Sequence, residues 1–283
     1  EVYEEVDPAT SDERINEVLY KYKGKAEFEI RKQSAKLLKT QPKSIEEVRK
    51  TYKEIGEKIE SFQKDDLASY ILHRKMIIDL LEKKLEIKKN GKYFNEDIMH
   101  DIIFPRKATT DRISFENHNM WLVDERLTFH SFATSDNRFC DSTTSDSEER
   151  PDILIFSEVD NQKIARAVSV IELKKPQRKN LDEDPTKQIF RYVRNIRSNS
   201  VMMPNGREIF VDDATRYYCY VICDLTKSIR EYAENNNFTQ LRGELGYYSY
   251  NRKLNAHTEI IAFDKIITDA KQRHKAFFEK LGI

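Results

Sequence analysis

Between Pro151 and Lys175 two short apolar runs stand on either side of a polar connection. The first, Ile153-Leu154-Ile155-Phe156, is entered from Pro151-Asp152. The second, Ala167-Val168-Ser169-Val170-Ile171, leaves through Glu172-Leu173-Lys174. Runs this brief, β-branched and bounded by polar residues read as buried strands. Asn161-Gln162 in the connection predicts a hairpin with a loop longer than the tightest kind. Side chains alternate between the faces of a strand, so Glu172 and Lys174 share one face and Leu173 takes the other. Antiparallel pairing then carries Asp152 to the end of the second strand, beside Glu172.

Two carboxylates and an ammonium meeting at one end of a sheet need compensation. A divalent cation supplies it: Mg²⁺ is held by one or two carboxylates, with water and substrate phosphate completing its shell. Such an ion lowers the pKa of a bound water and steadies charge on the phosphate. Lys174 is then placed to orient the water or stabilise developing charge. The plainer alternative is three solvated strand ends, with Glu172 and Lys174 forming a surface ion pair worth little.

The following stretch, Pro185 to Arg197, predicts a helix with Asp184 as its cap and Pro185 at its first position. It carries Gln188-Ile189-Phe190-Arg191-Tyr192. Pro151-Asp152, a spacer, then Glu172-Leu173-Lys174 resembles the signature of the PD-(D/E)XK nucleases. Gln188 and Tyr192 resemble the Q-x-x-x-Y motif of their RecB-like branch. The resemblance covers roughly Tyr93 to Cys223. It implies an α/β fold, with a mixed central sheet flanked by helices in a restriction-endonuclease-like core. It also implies a Mg²⁺- or Mn²⁺-dependent nuclease acting on DNA, double- or single-stranded. Asp152, Glu172 and the backbone carbonyl of Leu173 would bind the metal, Lys174 would position or activate water, and Gln188 and Tyr192 would shape the site. In that fold a helix ahead of the core strands can add an acidic or histidine side chain. Glu96 is thus expected as a further metal-site carboxylate and His100, on the same face, as a contact to site or substrate. A solvated helix face fits the same spacing.

Lys plus Arg equals Asp plus Glu at 49 each, so bulk charge does not announce a nucleic-acid partner and phosphate contacts must come from local patches. One such patch is Lys187, Arg191 and Arg194, which recur along one face of the predicted helix; Lys175 and Arg178 precede it. Cations there would track a phosphodiester backbone. The alternative is an ordinary amphipathic helix whose Ile189, Phe190, Val193 and Ile196 pack on the sheet. Cys140, Cys219 and Cys223 have no metal-ligand pattern and read as free thiols in a reducing compartment, which makes the cytoplasm the expected location. No run is long enough to span a membrane. No Gly-rich phosphate loop is present, so ATP hydrolysis within the chain is not expected.

Residues 1–90 predict helices over about 11–38, 44–62 and 65–87, the last with an apolar stripe through Leu67, Tyr70, Ile71, Met76, Ile77, Leu80, Leu81 and Leu85. This segment is expected as a connector or homodimerisation arm, or as a helical subdomain packed on the rest. Asn90-Gly91 marks the boundary to a nuclease-like domain over 91–283. Tyr93 to Phe104 predicts a helix stopped by Pro105. Asn117 to Phe132 is expected as a strand or short helix anchored by Trp121, with His118 and His130 structural. Thr134 to Arg150, rich in Ser, Thr, Asp and Glu, predicts a mobile loop. Arg216–Cys223, Gly246–Tyr250 and Thr258–Phe263 read as strands, with helices over 228–235 and 264–281. The chain opens on Glu1 rather than Met, which is expected of a piece of something longer. It resembles, more loosely, the nuclease-like C-terminal regions joined to bacterial ATPases of the gyrase and chaperone type, some in anti-phage defence. That implies an ATPase domain or subunit as partner. An alternative reading is a catalytically degenerate nucleic-acid-binding and assembly module of such an ATPase.

Overall fold

The computed structural model describes residues 61–86, 93, 95–177, 181, 183–203 and 206–282, together with 14, 17, 18, 21 and 28. The expected helices over 11–38 and 44–62 lie almost wholly outside these residues, as do Asn90-Gly91 and Arg178. The chain divides into two compact units, Glu1–His73 and Arg74–Ile283.

The second unit is α/β. Its strands are β1 (Phe132–Ser135), β2 (Ile153–Val159), β3 (Ala165–Leu173), β4 (Val201–Met202), β5 (Glu208–Ile209), β6 (Arg216–Cys223), β7 (Thr239–Gln240), β8 (Gly246–Asn251) and β9 (Ala256–Ala262). The helices are α1 (Ser61–Leu85, which begins in the first unit), α2 (Glu96–Ile103), α3 (Pro185–Ser198), α4 (Lys227–Asn235) and α5 (Phe263–Leu281). Seven strands form one mixed sheet in the order β1-β2-β3-β6-β9-β8-β7, and β4 with β5 makes a separate ribbon. The centre, β3-β6-β9, is parallel; both flanks are antiparallel.

The hairpin predicted from the two apolar runs is β2-β3, paired antiparallel with Ile153 opposite Ile171. Both strands extend beyond the apolar letters. Asp160 Oδ1 accepts from the N–H of Gln162 at 2.9 Å and of Ile164 at 3.0 Å. The carboxylate thus closes the turn locally and leaves the flanking residues free to continue the ladder. Leu154 and Phe156 lie opposite Val170 and Val168 and share a core with Ile189, Val193 and Ile196 of α3 and with Cys219 and Val221 of β6. The alternate residues Ile153, Ile155, Ile171 and Leu173 are buried on the other face, where α2 packs against β3 and α5 against β9. Burying each such side chain contributes about 1.5–3 kcal/mol before chain entropy is charged. Cys219 and Cys223 are buried free thiols within this core, and burial pushes the Cys219 thiol up to about 12.

Three expectations need correction. The stretch 117–132 is neither one strand nor one helix: 3₁₀ turns at Phe115–Asn117, Met120–Leu122 and Glu125–Thr128 lead into β1. Buried Trp121 anchors them, its indole N–H donating to Asn119 Oδ1 at 3.2 Å. The apolar stripe of α1 holds only in part: Ile71 and Leu81 are buried as expected, but Ile78 is buried too, while Leu67, Tyr70, Met76 and Leu80 are exposed. Arg74 takes a core position one turn earlier, its guanidinium 4.5 Å from the Trp121 ring centre and paired with Glu125. Its Nη1 also donates to His274 Nε2 at 2.6 Å. A long stem with a paired head substitutes for an apolar residue there.

The third correction concerns 134–150, which is tied down at short intervals. Phe139–Ser142 forms one helical turn around the buried Phe139 ring. Beyond it the hydroxyls of Thr143, Ser145 and Ser147 each accept the backbone N–H two residues on, at 3.0, 3.1 and 3.2 Å. The N–H of Phe139 donates to the Glu149 carbonyl and that of Cys140 to the Ser147 carbonyl. The Ser/Thr content that suggests mobility instead supplies successive side-chain-closed turns.

Candidate active site

The hairpin register sets the geometry. Continuing the β2-β3 pairs by one step places Asp152 across from Glu172, on the face that carries Leu154, Val170 and α3. Asp152 Oδ2 accepts from the Leu173 N–H at 2.6 Å, which fixes its carboxylate against the end of β3. Glu172 is buried, and Lys174, two residues on and on the same face, donates to Glu172 Oε1 at 2.5 Å. The three expected residues therefore converge, and they do so in the interior rather than as solvated strand ends.

Helix α3 aims the next pair. Asp184 Oδ1 caps it by accepting from Thr186 N at 2.9 Å and Thr186 Oγ1 at 2.7 Å, with Pro185 following at the first position. The other oxygen, Oδ2, accepts from Asn236 Nδ2 at 2.8 Å, which ties the start of α3 to the end of α4. One turn on, Gln188 Oε1 accepts from Lys174 Nζ at 3.2 Å while its Nε2 donates to Tyr192 Oη at 2.6 Å. Tyr192 in turn donates to the Arg150 carbonyl at 3.3 Å. The spacing of four puts both side chains on one helix face. The result is a chain of bonds from the backbone before Asp152, through Tyr192 and Gln188, to the lysine head.

Electrostatics mark the site. Burial, and then the charge of Glu172, raise Asp152 well above the usual carboxylate range. Burial raises Glu172 to about 7 in spite of Lys174. For Lys174, burial works against the ammonium, but the charge and hydrogen bond of Glu172 outweigh it and raise its pKa. Burial raises the Tyr192 phenol as well, keeping it a neutral donor. Strong shifts with named charge partners are characteristic of functional sites.

Does this set fit a divalent cation? Glu172 Oε2 is buried and has no hydrogen-bond partner among the described residues. A buried acceptor without a donor costs free energy, and a hard cation is one ligand that would relieve it. Two facing carboxylates held toward their protonated forms by burial have the same remedy. Asp152 and Glu172 therefore fit as a carboxylate pair. Among the described residues no three His, Cys, Asp or Glu side chains stand together in a metal-holding group. Glu96 lies nearby but is otherwise engaged: its Oε2 accepts from the Lys175 N–H at 2.8 Å and clasps α2 to the turn after β3.

His100 is buried, with Nε2 2.8 Å from Ser135 Oγ and Nδ1 3.9 Å from Asp152 Oδ1. Burial lowers its pKa to about 4, so the ring is neutral at physiological pH. Ser135 was not legible as a site neighbour, because nothing local in the sequence shows that β1 lies beside β2. Asp97 and Asp101, on the neighbouring stripe of α2, are occupied by Arg106. His118 lies in an aromatic cluster, stacked on Phe104 with His130 edge-on.

The basic residues of α3 divide. Arg191 is bracketed by Glu149 at 2.7 Å and Glu183 at 2.6 Å. Lys187 and Arg194 are exposed with no acidic partner among the described residues, and Lys175 is half-buried. No protein-family model, curated protein or solved structure matches the chain.

Proposed function

We propose that this protein is a Mg²⁺- or Mn²⁺-dependent nuclease of the PD-(D/E)XK type, hydrolysing phosphodiester bonds of DNA. The observation that carries the reading is the buried, unpartnered Glu172 Oε2 beside Asp152, at a sheet end that also holds Lys174. Asp152 and Glu172 would hold the metal with the Leu173 carbonyl, and Glu96 would support the set from α2. When bound, the ion polarises the phosphate and makes a bound water more acidic.

The chain's own residues do the rest. Lys174, steered by Gln188, donates to the water or to a phosphate oxygen as charge builds. Tyr192 keeps the Gln188 amide turned so that its oxygen faces the ammonium. Lys187 and Arg194, with Lys175 and Arg178, would track the substrate backbone. Work beside an ATPase domain or subunit, in bacterial defence or DNA processing, and homodimerisation through residues 1–90 rest on the sequence resemblance and the helical lead-in alone.

One observation favours a second reading, a nucleic-acid-binding module that no longer cuts: Glu172 Oε1 is taken by Lys174 and Glu96 Oε2 by the Lys175 N–H. Incubation of supercoiled plasmid, linear duplex and single-stranded DNA with Mg²⁺, Mn²⁺ or EDTA separates the two. The nuclease reading expects metal-dependent cutting that Lys174→Ala reduces by about 10²-fold or more. DNA binding without cutting under any condition, and without heat on Mn²⁺ titration, would sink it in favour of the second.

A further inference from the structure

A groove of about 550 Å³ opens on the sheet face opposite the carboxylate pair, near the start of the parallel strands. Ser169 and Tyr218, register partners on β3 and β6, both line it, and Ser169 points away from the face that carries Glu172. Arg126, Arg166 and Arg216 lie around it, with the exposed ring of Phe129 at its edge. None of these residues belongs to the site above.

The three arginines differ in what they have to offer. Arg126 is held by both oxygens of Asp124, Nε donating to Oδ1 at 3.1 Å and Nη2 to Oδ2 at 2.6 Å, with its guanidinium 5.9 Å from the Tyr218 ring centre. Arg166 is held by Asp160 at 2.8 Å and Asp212 at 3.5 Å. Arg216 is exposed and has no acidic partner among the described residues. The Tyr218 ring is braced from the β9 side: it stacks on His257 at 5.8 Å and 17°, and His257 stacks on Tyr250 at 4.5 Å and 30°.

We propose that this groove binds one free nucleotide, with its base against Tyr218 and its phosphate at Arg216. A fixed aromatic ring stacks any nucleobase. Guanidinium groups suit phosphate because they donate in pairs. The volume lies within the range of about 300–1,000 Å³ usual for small-molecule sites. A polynucleotide track requires uncompensated cations repeated along the backbone. Here Asp124, Asp160 and Asp212 already neutralise two of the three arginines, and Glu158 stands at the rim. Arg216 is the one lining arginine without a carboxylate partner among the described residues, which suits a single phosphate group and not a track of them. The two carboxylate-held arginines are ordered beforehand, so their N–H groups can be engaged at little further entropy cost.

The proposal is independent of the nuclease reading, and its test runs without metal. Calorimetric titration of AMP and of ATP into the full chain in EDTA is expected to show saturable binding. Tyr218→Ala and Arg216→Glu should each weaken it by about tenfold or more, while Tyr218→Phe retains it and Lys174→Ala leaves it unchanged. Arg216 is exposed, so its variant should melt with the wild type. Three results would overturn the inference: no heat from either nucleotide at millimolar concentration, binding that both groove substitutions leave intact, or binding of a short single-stranded oligonucleotide without binding of either mononucleotide.

Discussion

Replacing Asp152 by Asn should stabilise the fold, and more so as the pH rises. Asn keeps an oxygen to accept the Leu173 N–H, the hydrogen bond that positions the side chain against the end of β3. It removes a buried negative charge facing another. Glu172 is raised from its ordinary 4.5 to about 7, and Asp152 is raised well above its ordinary value by burial and then by Glu172. A carboxyl raised on folding contributes stability that is complete below its unfolded pKa and is lost as pH climbs through the folded one. For Glu172 that window runs from about 4.5 to about 7. At 1.36 kcal/mol per unit the loss is on the order of 3 kcal/mol. His100, His118, His130 and His274 act in the opposite sense, because burial lowers each of them and stability then falls as pH drops below the usual histidine range. These contributions, and the loss from burying Glu172, are common to variant and wild type and cancel in the difference, which leaves the raised Asp152 carboxyl itself.

Urea and thermal melts in EDTA at intervals from pH 4.5 to 8 measure that difference. It should be near zero at the acid end and grow in favour of Asp152→Asn as the pH rises and the wild-type carboxyl is forced to ionise, by about 1 kcal/mol or more at pH 8. For a chain of this size each 1 kcal/mol is about 2–4 °C in Tm. Mn²⁺ at pH 8 should raise the melting temperature of the wild type and not that of the variant. A variant no more stable than wild type at pH 8, or a difference that does not change with pH, would refute the argument that the two carboxylates oppose one another.

Asp184→Ala removes the cap of α3 and the acceptor for Asn236, and should cost about 1–3 kcal/mol in urea unfolding. Tyr192→Phe breaks the link between Gln188 and the Arg150 carbonyl; we expect about 1 kcal/mol less stability and a loss of cleavage smaller than that of Lys174→Ala, since the lysine remains. The double variant Glu149→Gln, Glu183→Gln should release Arg191 from its bracket. DNA affinity should then rise and the salt dependence of binding steepen by about one phosphate contact, read from binding isotherms at several salt concentrations.

The hairpin and its register were legible because they depend on local pattern. Two β-branched runs alternate about a closed polar turn, and alternation alone puts Asp152, Glu172 and Lys174 on one face. The cap at Asp184-Pro185 and the four-residue spacing of Gln188 and Tyr192 are local in the same way. The strap before Asp152 was misread because its composition is that of a mobile segment. The order of its hydroxyls, every second residue from Thr143 to Ser147, is what closes its turns. The stripe of α1 was legible only in part because an arginine fills a core position, and the presence of Trp121, Glu125 and His274 around it, which no local pattern shows, makes that tolerable.

By itself, then, the sequence determined that an α/β chain would carry two carboxylates and a lysine at one sheet end, with a glutamine and a tyrosine on the next helix. Those facts follow from the period of a strand and the period of a helix, which are set by backbone geometry within a few residues. Only the tertiary structure decided that Glu172 Oε2 would be buried without a partner, that Gln188 would reach Lys174, that Glu96 would spend its carboxylate on the Lys175 amide and that Arg191 would be neutralised. Each depends on side chains brought together from distant parts of the chain, where burial, charge and hydrogen bonding are properties of the packed interior and have no counterpart in local spacing.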